Sequence, residues 1–267
     1  MSRRGALVDV YRHFAEFYDL YVGDRLDDLP LYRGYARRAR TPIVEIGAGS
    51  GRLTIPLARS GARIVAVDVS RAMLRILRRR LRGEPLRVRR RIRVVPADAA
   101  RLDLRFRSEL IIVPFYAFNY FLGLQALRAL RRFAGHLTDD GRLLVDVFVP
   151  LGHLRRCPDG PVLRVDAVDA AGRRVRGWNA YRLDRRRRTE IRRQRFVIEA
   201  PGRAPRRGAF TIRRRYWLGA ELDRLFRRGG FEVERVFAGY DGRAPVSGSE
   251  QRLYVLRRVG KLYSSVH

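Results

Sequence analysis

Between Val44 and Ala58 the chain reads VEIGAGSGRLTIPLA: a β-branched apolar run, three glycines at alternate positions, then a stretch with the apolar spacing of a helix. Glycine costs roughly 0.5 to 1 kcal/mol relative to alanine inside regular structure. Three glycines in five residues therefore imply a tight turn or a ligand lying against the backbone. A strand that turns through such a loop straight into a helix aims its loop amides, and the positive end of the helix, at the carboxyl edge of a sheet. That is a nucleotide-type site.

The pattern around this stretch alternates. Short β-branched runs at Ile43–Ile46, Arg63–Val67, Ile92–Val95, Leu110–Pro114 and Leu143–Val149 are separated by helix-like stretches at Leu53–Ser60, Ala72–Leu81 and Leu122–Ala134. Strands alternating with helices predict a parallel sheet covered on both faces, an α/β, Rossmann-like architecture. Residues 1–40 read as a helical lid, two helices broken near Gly23 with tyrosines and phenylalanines along one side. From Pro161 to Tyr216 the texture changes, and about four short antiparallel strands are predicted there, as an insertion spanning 151–215. A helix stopped by Gly229 and Gly230, a strand, and a last strand at Leu253–Val259 bring the main sheet to seven strands, drawn from 41–150 and 216–267.

Composition narrows the setting. The 267 residues are 46% hydrophobic, enough chain for a well-buried core, while the longest apolar runs fall far short of the roughly 18 to 20 residues of a membrane span. No stretch of MSRRGALVDVYRHF is apolar enough for a secretory signal, and the single cysteine, Cys157, cannot close an intrachain disulfide. No Cys/His cluster has metal-ligand spacing. A cytoplasmic, metal-free protein, monomeric or homodimeric, is the expectation. With 58 basic and 27 acidic residues the net charge is +31, yet only Lys261 is lysine and the arginines are scattered over nearly every segment. Compositional drift accounts for such one-sidedness at least as well as selection for nucleic acid, but the field favours anionic ligands either way.

A dinucleotide fingerprint would want a further glycine at position 52, where Arg52 stands. The order here is an acid and then alternate glycines: Glu45, Gly47, Gly49, Gly51. Asp68 closes the next strand run, RIVAVD, placed to accept two ribose hydroxyls, and Asp98 follows the third in VVPADAARLDL. On these residues the chain resembles the class I S-adenosylmethionine-dependent methyltransferases, from about Tyr11 to its end apart from the insertion. The resemblance implies S-adenosylmethionine as cofactor. Gly47, Ala48, Gly49 and Gly51 would then admit its methionine part and Glu45 would support its amino group. Asp68 and Val69 would hold the ribose, Met73 would pack on the adenine, Asp98 with the Ala99 amide would read the adenine edge, and Pro114 would border the site. YRHFAEFYDLYV gives Tyr11 and Tyr18 in the register of the family's YxxxAxxYDxxY segment, which places its tyrosines near the cofactor carboxylate and the substrate mouth, with Tyr21 following. Each residue has a plainer reading beside this one: Asp68 and Asp98 as helix caps, Met73 as core, the tyrosines as one apolar helix face.

Methyl transfer is an in-line displacement, so the acceptor must be held on the methyl axis. VPFYAFNY, after the fourth strand, lacks the acid or asparagine followed by Pro-Pro-aromatic of nucleobase amino methyltransferases, and Cys157 stands outside the strand ends where cytosine-carbon enzymes keep their nucleophile. The stretch resembles instead that of small-molecule methyltransferases acting on amines, sugars or other metabolites. Tyr116, Asn119 and Tyr120 are the acceptor-pocket candidates, and Arg215, Tyr216 and Trp217 are candidates for the same mouth. His153 is the candidate general base for a hydroxyl acceptor. The leading expectation is methyl transfer to a small-molecule amine. The alternatives are a ribosomal RNA methyltransferase with arginines along the phosphates, or a non-catalytic basic nucleic-acid binder on the same fold.

Overall fold

The computed structural model describes residues 11, 14–22, 25–149, 160–169, 171–246 and 249–259. Seven strands make one sheet: β1 (Ile43–Ile46), β2 (Ile64–Asp68), β3 (Ile92–Pro96), β4 (Ser108–Val113), β5 (Leu137–Phe148), β10 (Phe231–Phe237) and β11 (Gln251–Arg258). Their order is β10-β11-β5-β4-β1-β2-β3. Neighbours from β5 through β3 pair in parallel, while β11 runs antiparallel to both β5 and β10. All four residues of β1 are buried, as a parallel strand covered on both faces requires.

The chain leaves β1 toward β2 and β3, then returns to the other side of β1 to make β4. Between β1 and β4 the winding therefore reverses, and a crevice opens at the carboxyl ends of the strands. The helices follow from patterning. In α4 (Arg71–Arg82) Ala72, Met73, Leu74, Ile76, Leu77 and Leu81 are buried, arginines fill the outer face, and the Ser70 hydroxyl caps the first turn by accepting the Met73 N–H at 3.2 Å. In α6 (Leu124–His136) Ala126, Leu127, Ala129, Leu130 and Phe133 turn inward. The remaining helices are α1 (Tyr18–Val22), α2 (Leu29–Ala36), α3 (Thr54–Arg59), α5 (Leu86–Arg89) and α7 (Gly219–Arg228).

β5 begins six residues earlier than its apolar run suggests. Ser108 pairs with Leu137 and Leu110 with Arg142, the register shifting between them. Gly141 makes this possible: a Cβ there would stand 2.9 Å from Leu137 Cδ2 and 3.1 Å from the Ser108 carbonyl.

A second sheet, β6 (Val162–Val168), β7 (Arg174–Asp184), β8 (Thr189–Glu199) and β9 (Arg206–Arg215), is an antiparallel meander in sequential order, lying in the chain between β5 and α7. Phe14 and Phe17 pack on its Val175, Phe196 and Ile198. Tyr11 and Tyr18 pack against Ala72, Met73 and Ile76 on α4. Tyr11 and residues 14–18 thus lie between the second sheet and α4. Among the described residues no helix is long and apolar enough to cross a membrane.

Candidate active site

At the switch point the loop after β1 takes the conformation its glycines predict. Gly47, Gly49 and Gly51 sit at φ +77°, +56° and +89°, a region that costs an L side chain roughly 1 to 2 kcal/mol. A Cβ on Gly47 would lie 2.8 Å from Ala117 Cβ, and one on Gly51 2.4 Å from Leu77 Cδ1. Gly47 and Gly49 face a cavity, while Gly51 is glycine because α4 presses on it from behind. Asp68, at the end of β2, accepts the Gly49 N–H at 2.8 Å and the Ser70 N–H at 2.7 Å, so one carboxylate ties the loop to the start of α4.

The cavity is lined from below by Gly47, Gly49, Asp68, Val69, Met73, Ala99 and Pro114, and from above by Tyr11, Tyr18 and Tyr21. Asp19 holds the upper wall down. Its carboxylate accepts the Ser50 hydroxyl at 2.7 Å and Arg80 Nη2 at 2.7 Å, which pins α1 to the glycine loop and to α4. The Tyr11 and Tyr120 hydroxyls are hydrogen-bonded to each other, and the Tyr11 and Tyr18 rings meet edge-on at 5.2 Å. Burial first, and then the neighbouring phenols, raise both the Tyr11 and Tyr18 hydroxyls above the usual tyrosine range, so both stay protonated at neutral pH. On the far side, Phe115 and Tyr116 adopt φ 51° and 62°, two consecutive left-handed non-glycine residues directly after β4. Strain of this kind persists only where the surroundings impose it, and it aims the Tyr116 side chain into the cavity wall.

Other candidates sit elsewhere. Glu45 is buried beneath the loop, accepts the Thr54 hydroxyl at 2.6 Å, and is driven up to about 7, chiefly by desolvation. Ala48 packs with Ile55, Ala66 and Leu74. Asp98 accepts the Ala100 N–H at 2.9 Å and caps a single 3-10 turn at Ala99–Arg101, as the plainer reading has it. Asn119 is a correction. Its Nδ2 donates to the Phe148 and Arg215 carbonyls at 2.9 and 2.8 Å, and its Oδ1 accepts the Phe148 N–H at 3.0 Å. Saturated and 1% exposed, it is a strut joining the ends of β5 and β9 rather than an acceptor contact. Trp217 lies in the main core, Tyr216 is buried, and Arg215 pairs with Glu221 at 2.7 Å. None of these three lines the cavity. His153 and Cys157 lie outside the described residues, and among those residues no group of three His, Cys, Asp or Glu could hold a metal ion.

The second sheet contributes residues that the sequence reading missed: Arg192 and Gln194 of β8 and Arg214 of β9 form part of the cavity wall. Burial pulls the Arg192 guanidinium down, but the neighbouring Tyr120, Tyr21 and Tyr11 oxygens and Glu190 outweigh that and hold it above its ordinary value. The alternation in TEIRRQRFVIE carried the signal, since its inward positions are Glu190, Arg192, Gln194, Phe196 and Ile198.

Residues 43–141 match the family model of the methyltransferase domain. Those residues form a methyltransferase domain. S-adenosylmethionine, the cofactor that the sequence resemblance implies, fits the residues present: a glycine cradle that a Cβ would fill, and a carboxylate at the end of β2. The likeness in fold extends beyond those residues. The structure of the CcbJ methyltransferase from Streptomyces caelestis superposes with a TM-score of 0.79 at 23% identity, covering 96% of this chain and 100% of that one. The sugar N-methyltransferase KedS8 from a Streptoalloteichus species superposes at 0.69 with 20% identity, covering 91% and 93%. In sequence, the cypemycin N-terminal methyltransferase of a Streptomyces species is 28% identical over 235 residues, 81% of this chain and 82% of the relative. Ribosomal RNA small subunit methyltransferase A of Anaeromyxobacter dehalogenans is 49% identical over only 78 residues, so this chain spans 24% of that relative.

Proposed function

We propose that the protein transfers a methyl group from S-adenosylmethionine to the nitrogen of a small-molecule amine. One observation carries this reading: the glycine cradle with Asp68 and the strained Phe115–Tyr116 turn face each other across a single cavity, so cofactor and acceptor would meet within it. When bound, the cofactor supplies an electrophilic methyl group on a sulfonium, whose C–S bond breaks as the acceptor's bond to carbon forms. The protein's part is positioning. Gly47 and Gly49 let the backbone approach closely, Asp68 offers its carboxylate at the ribose position, and Met73 offers an apolar surface for the base. Tyr11, Tyr18, Tyr116 and Tyr120 close the cavity against water with rings whose π-faces suit a positive sulfonium.

Nitrogen is favoured over oxygen because of what the described walls hold. The carboxylate among them, Asp68, is engaged by two backbone amides, and no histidine, cysteine or lysine is among the described lining residues. A neutral amine attacks without a base and then sheds its proton to solvent, whereas a hydroxyl would need one. The names of two relatives, a sugar N-methyltransferase and an N-terminal methyltransferase, point the same way. The ribosomal RNA reading has little support, because the matching segment spans only 29% of this chain and 24% of the relative. Calorimetry tests the reading. One S-adenosylmethionine should bind per chain, and Asp68→Ala should weaken it by about 1 to 3 kcal/mol, as bonds to a charged acceptor are lost. No heat with the cofactor, or unchanged affinity in the variant, refutes it.

A further inference from the structure

The inward face of the second sheet changes character along its length. Cross-strand partners on that face are Phe196 with Gly208, Gln194 with Phe210, Arg192 with Ile212 and Glu190 with Arg214. Its apolar end packs on Phe14 and Phe17, while its polar end overhangs the cavity. Buried charge on a strand face costs stability unless it is matched. Glu190 and Arg214 match each other, Arg214 Nη2 reaching both Glu190 oxygens at 2.7 and 2.8 Å. Arg192 has no carboxylate in contact, and Glu190, already paired with Arg214, acts on it only through space. Arg192 is 9% exposed, its Nη1 reaches only the Tyr21 hydroxyl at 3.5 Å, its Nε has no partner, and among the described residues it joins no ion pair. Beside it Gln194, 1% exposed, leaves its Nε2 without a partner. Both side chains line the cavity, and apart from the long Nη1 contact with the Tyr21 hydroxyl these donors meet no protein acceptor.

We propose that Arg192 and Gln194 form a carboxylate-binding subsite for the acceptor, so that the substrate is an amine bearing a carboxylate, of the amino acid class. This rests on the methyltransferase reading above. A guanidinium fork and a neighbouring amide fit a planar monoanion. A phosphate dianion would call for a second uncompensated cation, and Arg214 is already neutralised by Glu190. The Arg192 guanidinium also favours the uncharged form of a nearby amine, the form that attacks.

The cofactor carries a carboxylate too, so the experiment must separate the two sources. Sodium acetate is titrated calorimetrically into protein saturated with S-adenosylhomocysteine, with sodium chloride at equal ionic strength subtracting the general attraction of a chain of net charge +31. Acetate should bind alongside the cofactor product, and Arg192→Met should weaken acetate by about tenfold or more, Gln194→Leu by a smaller factor, and Arg192→Lys least. S-adenosylhomocysteine affinity should stay within about twofold in Arg192→Met, which also shows that the variant is folded. Acetate binding that is absent, or equal in Arg192→Met, overturns the subsite. So does a loss of S-adenosylhomocysteine affinity in that variant to match the loss for acetate, since the guanidinium would then read the cofactor. Failure of the wild type to bind S-adenosylhomocysteine overturns the methyltransferase reading itself.

Discussion

Ionising Glu45 in the cofactor-free protein should cost stability, and the amount can be worked from its surroundings. Burial drives its carboxyl from the ordinary 4.5 up to about 7, outweighing the Thr54 hydrogen bond and the Arg52 charge, which pull it down, with Asp28 and Asp68 adding to the rise. Between those two values the folded chain holds a proton that the unfolded chain has released, so stability falls as pH rises through the window. The gap between 4.5 and about 7, at about 1.4 kcal/mol per pH unit, amounts to about 3 kcal/mol. Asp146, raised from 3.8 to about 7 chiefly by burial, adds a loss of the same sign. Surface carboxylates act elsewhere: Arg59 lowers Glu84 and Arg243 lowers Asp241, so their stabilisation is lost only as pH falls below the ordinary carboxylate range. The assay is urea denaturation of wild type and Glu45→Gln in steps from about pH 4 to 8. Glutamine keeps a partner for Thr54 but cannot ionise, so wild type should lose about 3 kcal/mol more than the variant across the range. Parallel pH profiles for the two proteins would refute the reasoning.

Gly51→Ala should destabilise by about 1 to 3 kcal/mol from overpacking against Leu77, beyond the cost of its left-handed backbone. Gly61→Ala, also at positive φ but with nothing within 4 Å, should show the backbone cost alone, and equal thermal midpoints for the two variants would contradict the packing account. Asn119→Ala removes three hydrogen bonds to buried backbone and should cost about 2 to 4 kcal/mol in chemical denaturation. An unchanged denaturation midpoint would return Asn119 to the list of acceptor contacts.

The fold was legible in the sequence because its signals are local. The period of β1 through α4, the glycines that must turn between them, and the acid closing β2 depend on neighbours in the chain, and YRHFAEFYDLYV reaches the cavity as its spacing suggests. The start of β5 was not legible, because it depends on a glycine fitting against Ser108, a partner 33 positions earlier in the chain.

Side-chain roles divide in the same way. Sequence alone determined that a glycine loop follows β1 and that Asp68 stands at the next strand's end. Only the tertiary structure decided that Asn119 spends its amide on two strand ends, that Gly51 yields to Leu77, and that Arg192 and Gln194 overlook the cavity while Arg214 is neutralised by Glu190. Alternation can say that Arg192 faces inward, but whether an inward charge meets a carboxylate or an open cavity depends on a fold that brings β8 over the ends of β1, β2 and β4, more than a hundred residues away for β1 and β2.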